Sequence, residues 1–456
     1  MNLVYNIKDK PKFGQLIVFA FQQLLAILAA TIAVPTIVGN GMSQSAALFG
    51  AGVGTIVYLL FTKFNSPVFL GSSFAFIGSM LAAFAGAVSV EAGYAGIIFG
   101  AFFAGLVYVV IAIVVKFAGV GWIDKLMPAV VIGPTVSIIG LSLAGNAIGD
   151  LTTGKVLDAE GVSVASPYVA LICGLVTLFT VIICSVFGKK MAKLIPFIIG
   201  ILAGYVVAAV FTVIGIKTGN EALQVIDFSV FSGMKLFAVP DFSFLSAAKG
   251  IKAIDGKYIL TVAVAYVPVA FVVFAEHIAD HKNLSSVIGK ELLEDPGLHR
   301  TLLGDGVGSM VGAVFGGCPN TTYGESVGCV AITGNASVVT ILATAIMSMV
   351  ISFFGPFVTF LSTIPNCVMG GVCVTLYGFI AVSGLKMIQS VDLGENRNLF
   401  VVAVILICGI GGLTVSFGKV TLTEVACALI LGIVTNLIVG KKDKETADKT
   451  AEKVEK

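Results

Sequence analysis

Apolar runs, each about long enough for one membrane crossing, alternate with short polar joints over nearly the whole chain. A helical span needs roughly 20 apolar residues. The pattern predicts segments near 14–35, 43–62, 67–86, 94–117, 127–148, 167–187 and 193–216. A second set follows near 257–280, 300–316, 320–334, 336–363, 366–388, 398–416 and 420–440. The expected fold class is therefore an all-α polytopic membrane protein with 14 transmembrane segments in two sets of seven. The stretches 149–166 and 217–256 are the long polar loops. The run from Lys441 is charged and without apolar periodicity, so it is expected to be disordered.

Two of these segments are interrupted. Segment 10 begins Cys318-Pro-Asn-Thr-Thr-Tyr-Gly-Glu-Ser326, polar in the midst of apolar sequence. Pro319 and Gly324 oppose one continuous helix. Thr321, Thr322 and Tyr323 favour an extended run, and a helix can resume near Ser326. Segment 3, Pro67-Val-Phe-Leu-Gly-Ser-Ser-Phe-Ala-Phe76, has the same design. Each is read as a short extended stretch followed by a half-helix. Irregular backbone at membrane depth survives only where protein buries it or a wet cavity borders it, which marks both breaks as binding-site candidates.

Internal repetition supports the two sets. Gly52-Val-Gly-Thr-Ile-Val57 recurs as Gly306-Val-Gly-Ser-Met-Val311, each soon followed by a proline and a broken segment. Pro128-x-x-Val-Ile-Gly133 recurs as Pro365-x-x-Val-Met-Gly370. Seven is odd, so the second set enters from the opposite face and the repeats are inverted. Basic residues fall on one side: Lys8, Lys10 and Lys12, then Lys189, Lys190 and Lys193, then Lys282, Lys290 and Arg300, then Lys441, Lys442 and Lys444. The positive-inside rule makes that side, and both termini, cytoplasmic.

Composition narrows the class. The chain is 57% hydrophobic and 11% charged, with a mean hydropathy of +1.05, whereas a soluble domain carries about 25% charged residues. The net charge of +2 is spread over loops and tails and points to no nucleic acid. The eight cysteines have no metal-site or redox spacing. No phosphate-cradling loop, zinc motif or nucleophile–base pair is present, so neither ATP nor an enzyme is indicated, and no cofactor is expected.

The internal charges suggest a ligand. Glu276 and Asp280 are four apart near the end of an apolar segment and share a helix face. Charges at membrane depth are costly and usually face a cavity. The alternative places them at the cytoplasmic interface beside His281 and Lys282. His277 reads as packed or interfacial, Glu424 as a structural residue opening the last span, and Asp305, Lys386 and Arg397 as loop-proximal charges. Helix N-termini attract anions, but Glu325 beside one cancels that attraction. A ligand offering N–H groups to carboxylates and C=O groups to free backbone amides, such as an oxo-nucleobase, fits. A carboxylate there can also take up and release a proton, a means of coupling to a proton gradient.

At Gly71-Ser-Ser-Phe-Ala-Phe76, Ala275-Glu-His277, Asp295-Pro-Gly-Leu-His-Arg300 and Pro319-Asn-Thr-Thr-Tyr-Gly-Glu325 the chain resembles the nucleobase–ascorbate transporter family, and its uracil branch in particular. The resemblance runs from about Gln15 to Gly440. It implies a core domain of residues 12–118 and 257–364, and a gate domain of 119–216 and 365–440. Residues 217–256 become an extracellular loop and 441–456 a cytoplasmic tail. It implies substrate contacts from the Glu276 and Glu325 side chains and the Phe74 and Gly324 backbone, with Ala30, Tyr323 and Tyr377 lining the pocket. It further implies proton symport, with Asp280 and Glu276 in the coupling, and a homodimer formed through the gate domain in the plasma membrane. The expected activity is proton-coupled uracil uptake; xanthine or mixed specificity is the alternative, and an anion transporter of the same fold a more distant one. Three positions depart from the uracil pattern: Asp280 and Gln23 replace histidines, and Ser326 replaces asparagine.

Overall fold

The computed structural model describes residues 3–454 except 120, 121, 123–126, 159, 190, 418 and 419. It is mostly helical. The first half contains α1 (Phe13–Val38), α2 (Gln44–Phe61), a strand β1 (Leu70–Ser72), α3 (Ile77–Gly86), α4 (Val90–Ala118), α5 (Ala129–Ser142), α6 (Ala144–Asp150), α7 (Pro167–Phe187) and α8 (Pro196–Thr218). The second half contains α9 (Gly256–Ile288), α10 (Leu298–Gly316), β2 (Asn320–Thr322), α11 (Gly324–Thr333), α12 (Val338–Ile351), α13 (Gly355–Thr363), α14 (Asn366–Ile388), α15 (Asn396–Ile410), a hairpin of β3 (Val415–Phe417) and β4 (Val420–Leu422), and α16 (Glu424–Val454).

Among the described residues, eight helices are long and apolar enough to cross a membrane. The chain is a multi-pass membrane protein. Of the other predicted segments, α10 is long enough but less apolar, and the rest are shorter or interrupted helices. The run 336–363 is divided between α12 and α13 by a turn at Ser352–Phe354. The loop 217–256 holds a short helix, Ser243–Gly250, packed against α4. The last helix runs to Val454.

The recurring glycine motif packs against itself. A Cβ on Gly54 would stand 2.7 Å from the Gly308 carbonyl, and one on Gly308 would stand 2.7 Å from the Gly54 carbonyl. Small residues at this reciprocal crossing let α2 and α10 close to backbone contact, the usual device of helix packing in membranes. The second half also carries a buried polar pair between α9 and α10. His277 Nδ1 lies 2.7 Å from Asp305 Oδ2, and His277 Nε2 lies 3.0 Å from Thr301 Oγ1. Asp305 is 1% exposed, so it is a core group, not the loop-proximal charge expected. Its spacing from the helix end in sequence could not reveal that α9 supplies a histidine opposite it.

Candidate functional site

The two breaks meet. β1 and β2 pair antiparallel, Leu70 opposite Thr322, Gly71 opposite Thr321 and Ser72 opposite Asn320. Three residues of strand leave backbone groups to satisfy, and side chains do so. The Leu70 amide donates to Thr55 Oγ1 at 2.9 Å, the Asn320 amide to Ser309 Oγ at 3.0 Å, and the Phe69 amide to Ser326 Oγ at 3.1 Å. The Ser73 amide donates to the Pro319 carbonyl at 2.9 Å. Tyr323 lies over Gly71, where any Cβ would overlap its ring, and its hydroxyl donates to the Ser72 carbonyl at 2.8 Å. These bonds satisfy strand-end groups that lipid could not satisfy.

The half-helix α11 leaves this crossing at Gly324. Its first turn opens into a cavity of about 410 Å³, lined on this side by Gly324, Glu325, Glu276 and Asp280. The opposite wall is apolar, with Phe197 from α8 and Leu376, Phe379 and Ile380 from α14. Lys193 is the one cation among the described lining residues, and it is exposed. Gly324 is exposed to the cavity, and Glu325, Glu276 and Asp280 are each partly so. The Asp280 carboxylate accepts from Thr322 Oγ1 at 2.8 Å and stands 3.8 Å from where a Cβ on Gly324 would lie. The Glu276 carboxylate has no hydrogen-bond partner among the described residues. Three carboxylates and a helix N-terminus thus share one recess. Such a wall accepts N–H donors through its oxygens and offers backbone N–H groups to an acceptor beside them.

Four of the expected residues, Glu276, Asp280, Gly324 and Glu325, therefore converge. The other four do not line this cavity. Ala30 is 1% and Tyr323 3% exposed, within the packing behind the strands. Phe74 and Tyr377 meet edge-on, ring centroids 5.8 Å apart. Three contributors were not foreseen: Thr322, which holds Asp280; Gln23, whose Nε2 donates to Ser326 Oγ at 2.6 Å; and Lys193. The Gln23–Ser326 contact joins two of the three departures from the uracil pattern, so these substitutions form one bond between α1 and α11.

A helical multi-pass body with a carboxylate-lined recess at a broken helix defines a membrane transporter of the permease type. Residues 14–417 match the Permease family, and the chain belongs to it, that is, to the nucleobase–ascorbate transporters. It is 40% identical to a uracil permease of Bacillus caldolyticus over 438 residues, covering 95% of this chain and 94% of that protein. Identity is 38% to a uracil permease of Bacillus subtilis, with 97% of each chain covered, and 33% to one of Escherichia coli, with 95% and 93% covered. These relatives are transporters and not enzymes. Among solved structures, the fold is similar to the transmembrane domain of a cyanobacterial bicarbonate transporter, BicA. The TM-score is 0.60 at 16% identity, covering 95% of this chain and 99% of that one. Murine Slc26a9, an anion transporter, gives 0.64 at 12% identity, covering 96% and 69%.

Proposed function

We propose that this protein carries uracil across the plasma membrane together with a proton. The observation that carries the reading is the convergence of Glu276, Glu325 and Asp280 on the Gly324 end of α11 in one cavity. A pyrimidine dione presents N–H groups beside C=O groups. The carboxylates accept from the former, and amides at the start of α11 donate to the latter. The shared fold with anion carriers does not extend to substrate, because a wall of carboxylates repels an anion. Asp280, which Thr322 holds at the cavity wall, is the group assigned to proton exchange, with Glu276 one turn away.

The architecture proposed around the site has fourteen spans in two inverted sets. The core (12–118 and 257–364) moves against the gate (119–216 and 365–440) to expose the cavity alternately to each side. The self-paired β1 and β2 and the reciprocal Gly54–Gly308 contact support a two-fold relation between the halves. Both termini are placed in the cytoplasm and residues 217–256 outside. The test is uptake of radiolabelled uracil into proteoliposomes under an imposed pH gradient, competed by xanthine, adenine and sulfate. Accumulation that a protonophore abolishes and that sulfate leaves untouched is the expected result. Sulfate competition without uracil uptake would overturn the reading.

A further inference from the structure

The segment before α1 is bound to the far end of the half-helix that carries the site. Residues 3–8 alternate, with Leu3, Tyr5 and Ile7 partly buried and Val4, Asn6 and Lys8 exposed, the period of an extended strand. Leu3 and Ile7 pack against the core, and the Tyr5 ring meets Phe19 of α1 edge-on, centroids 6.0 Å apart. At its other end α11 stops at Gly334, whose φ of 66° suits glycine. The Gly334 carbonyl accepts from the Val4 and Tyr5 amides at 2.8 and 3.2 Å. The Ala336 amide donates to the Tyr5 carbonyl at 2.9 Å, and the Val338 amide to the Ile7 carbonyl at 3.0 Å. Ser337 Oγ donates to the Asp9 carbonyl at 2.6 Å. Lys8 reaches the other way: its Nζ donates to the carbonyls of Lys63 and Phe64 at 3.3 and 2.9 Å. Those two residues, both with positive φ, form the turn that leads from α2 toward β1. One short strap thus holds the way into the first break and the way out of the second.

The position of α11 depends on what holds its ends. Gly328 and Ile332 line the cavity, so that flank of the helix has open space beside it and not protein. Its first turn is held by the Gln23–Ser326 bond and its last by the strap. With 10 residues, α11 is about 15 Å long, a rod that carries a displacement at Gly334 through to Gly324 and Glu325. Groups that bind one ligand together must keep their places to within about 0.5 Å. We propose that the strap of residues 3–9 is a positioning element for the substrate site: it fixes α11 so that Gly324 and Glu325 stand at the spacing from Glu276 that the ligand needs. None of its residues lines the cavity, so it acts through α11. The inference rests on the site proposed above and adds Lys8 and Ser337 as residues on which affinity depends.

The full chain supplies the test. Lys8→Met removes the bonds to Lys63 and Phe64, and Ser337→Ala removes the bond to Asp9. The double variant slackens the strap and leaves every cavity residue in place. Two quantities are read in parent and variant: uracil affinity by calorimetry, and hydrogen–deuterium exchange along the ligand-free chain. The expected result is exchange about two- to tenfold faster over residues 324–333 and unchanged over α9, with uracil affinity lower by about the same factor, the net contribution of roughly one hydrogen bond. Lys8→Arg, which keeps the charge and its donors, should match the parent in both readings. If the double variant fails to fold, Lys8→Met alone, a change at an exposed side chain, gives the same comparison with smaller shifts. Unchanged exchange over α11 overturns the proposal. So does exchange that rises evenly over the whole chain, which is what a merely structural strap would give, and so does selective loosening of α11 with uracil affinity unaltered. If the parent itself binds no uracil, the proposed function fails, and the exchange comparison still decides whether the strap holds α11.

Discussion

Glu276→Gln removes one oxygen's charge from the cavity and little else. The carboxylate has no hydrogen-bond partner among the described residues, so the substitution strands no protein donor. The fold therefore loses nothing that the side chain was supporting, and melting of the purified protein should stay within about a degree or two of the parent. Binding is another matter. A hydrogen bond to a charged group contributes about 1.5–3 kcal/mol, and the amide that replaces it presents a donor where the substrate also donates. At 1.4 kcal/mol per decade, uracil affinity should fall roughly 10- to 140-fold. Calorimetric titration of detergent-solubilised parent and variant measures both constants, with a melting curve as the control. Unchanged uracil affinity in a folded variant would refute the assignment of Glu276 to the substrate. A variant that lost binding only because it unfolded would show that the side chain is structural.

Three further outcomes follow from the same geometry. Asp280→Asn keeps an acceptor for Thr322 but cannot release a proton, so uracil exchange in proteoliposomes should persist while gradient-driven accumulation fails; accumulation with an unaltered pH profile would remove Asp280 from the coupling. Glu325→Gln should weaken uracil more than xanthine, because glutamine can donate to a purine ring nitrogen that lacks hydrogen, and equal losses for both would reduce Glu325 to a cap on α11. His277→Ala removes the hydrogen-bond partner of the buried Asp305 side chain, a loss of about 1–3 kcal/mol that should appear as a drop in melting temperature; a melt unchanged from the parent would mean that the pair does not hold α9 to α10.

The elements that sequence made legible are those set by local chemistry. Pro67 and Pro319 each forbid a continuous helix, and the strands and half-helices lie where those prolines and the following glycines put them. Glu276 and Asp280 could be paired from helical spacing alone, since four residues is one turn. The rest is legible only in three dimensions. Asp305 looked like a charge near a helix end because its partner, His277, belongs to another helix. Ala30, Tyr323 and Tyr377 entered through resemblance, and nothing in their local sequence says which way they face; all three are buried and are not among the residues lining this cavity. The Thr322 bond to Asp280 depends on how a strand meets a helix, a relation no periodicity carries. Likewise the Gln23–Ser326 bond explains two unusual residues together that look unrelated when read singly along the chain.

The measurement that bears most directly on the central claim is a structure determined with uracil bound. The account places the ring in the recess at the start of α11, its N–H groups within hydrogen-bond distance of Glu276 and Glu325 and a carbonyl facing the Gly324 amide. A ring seated elsewhere, or in that recess with its carbonyls turned toward the carboxylates, would contradict it.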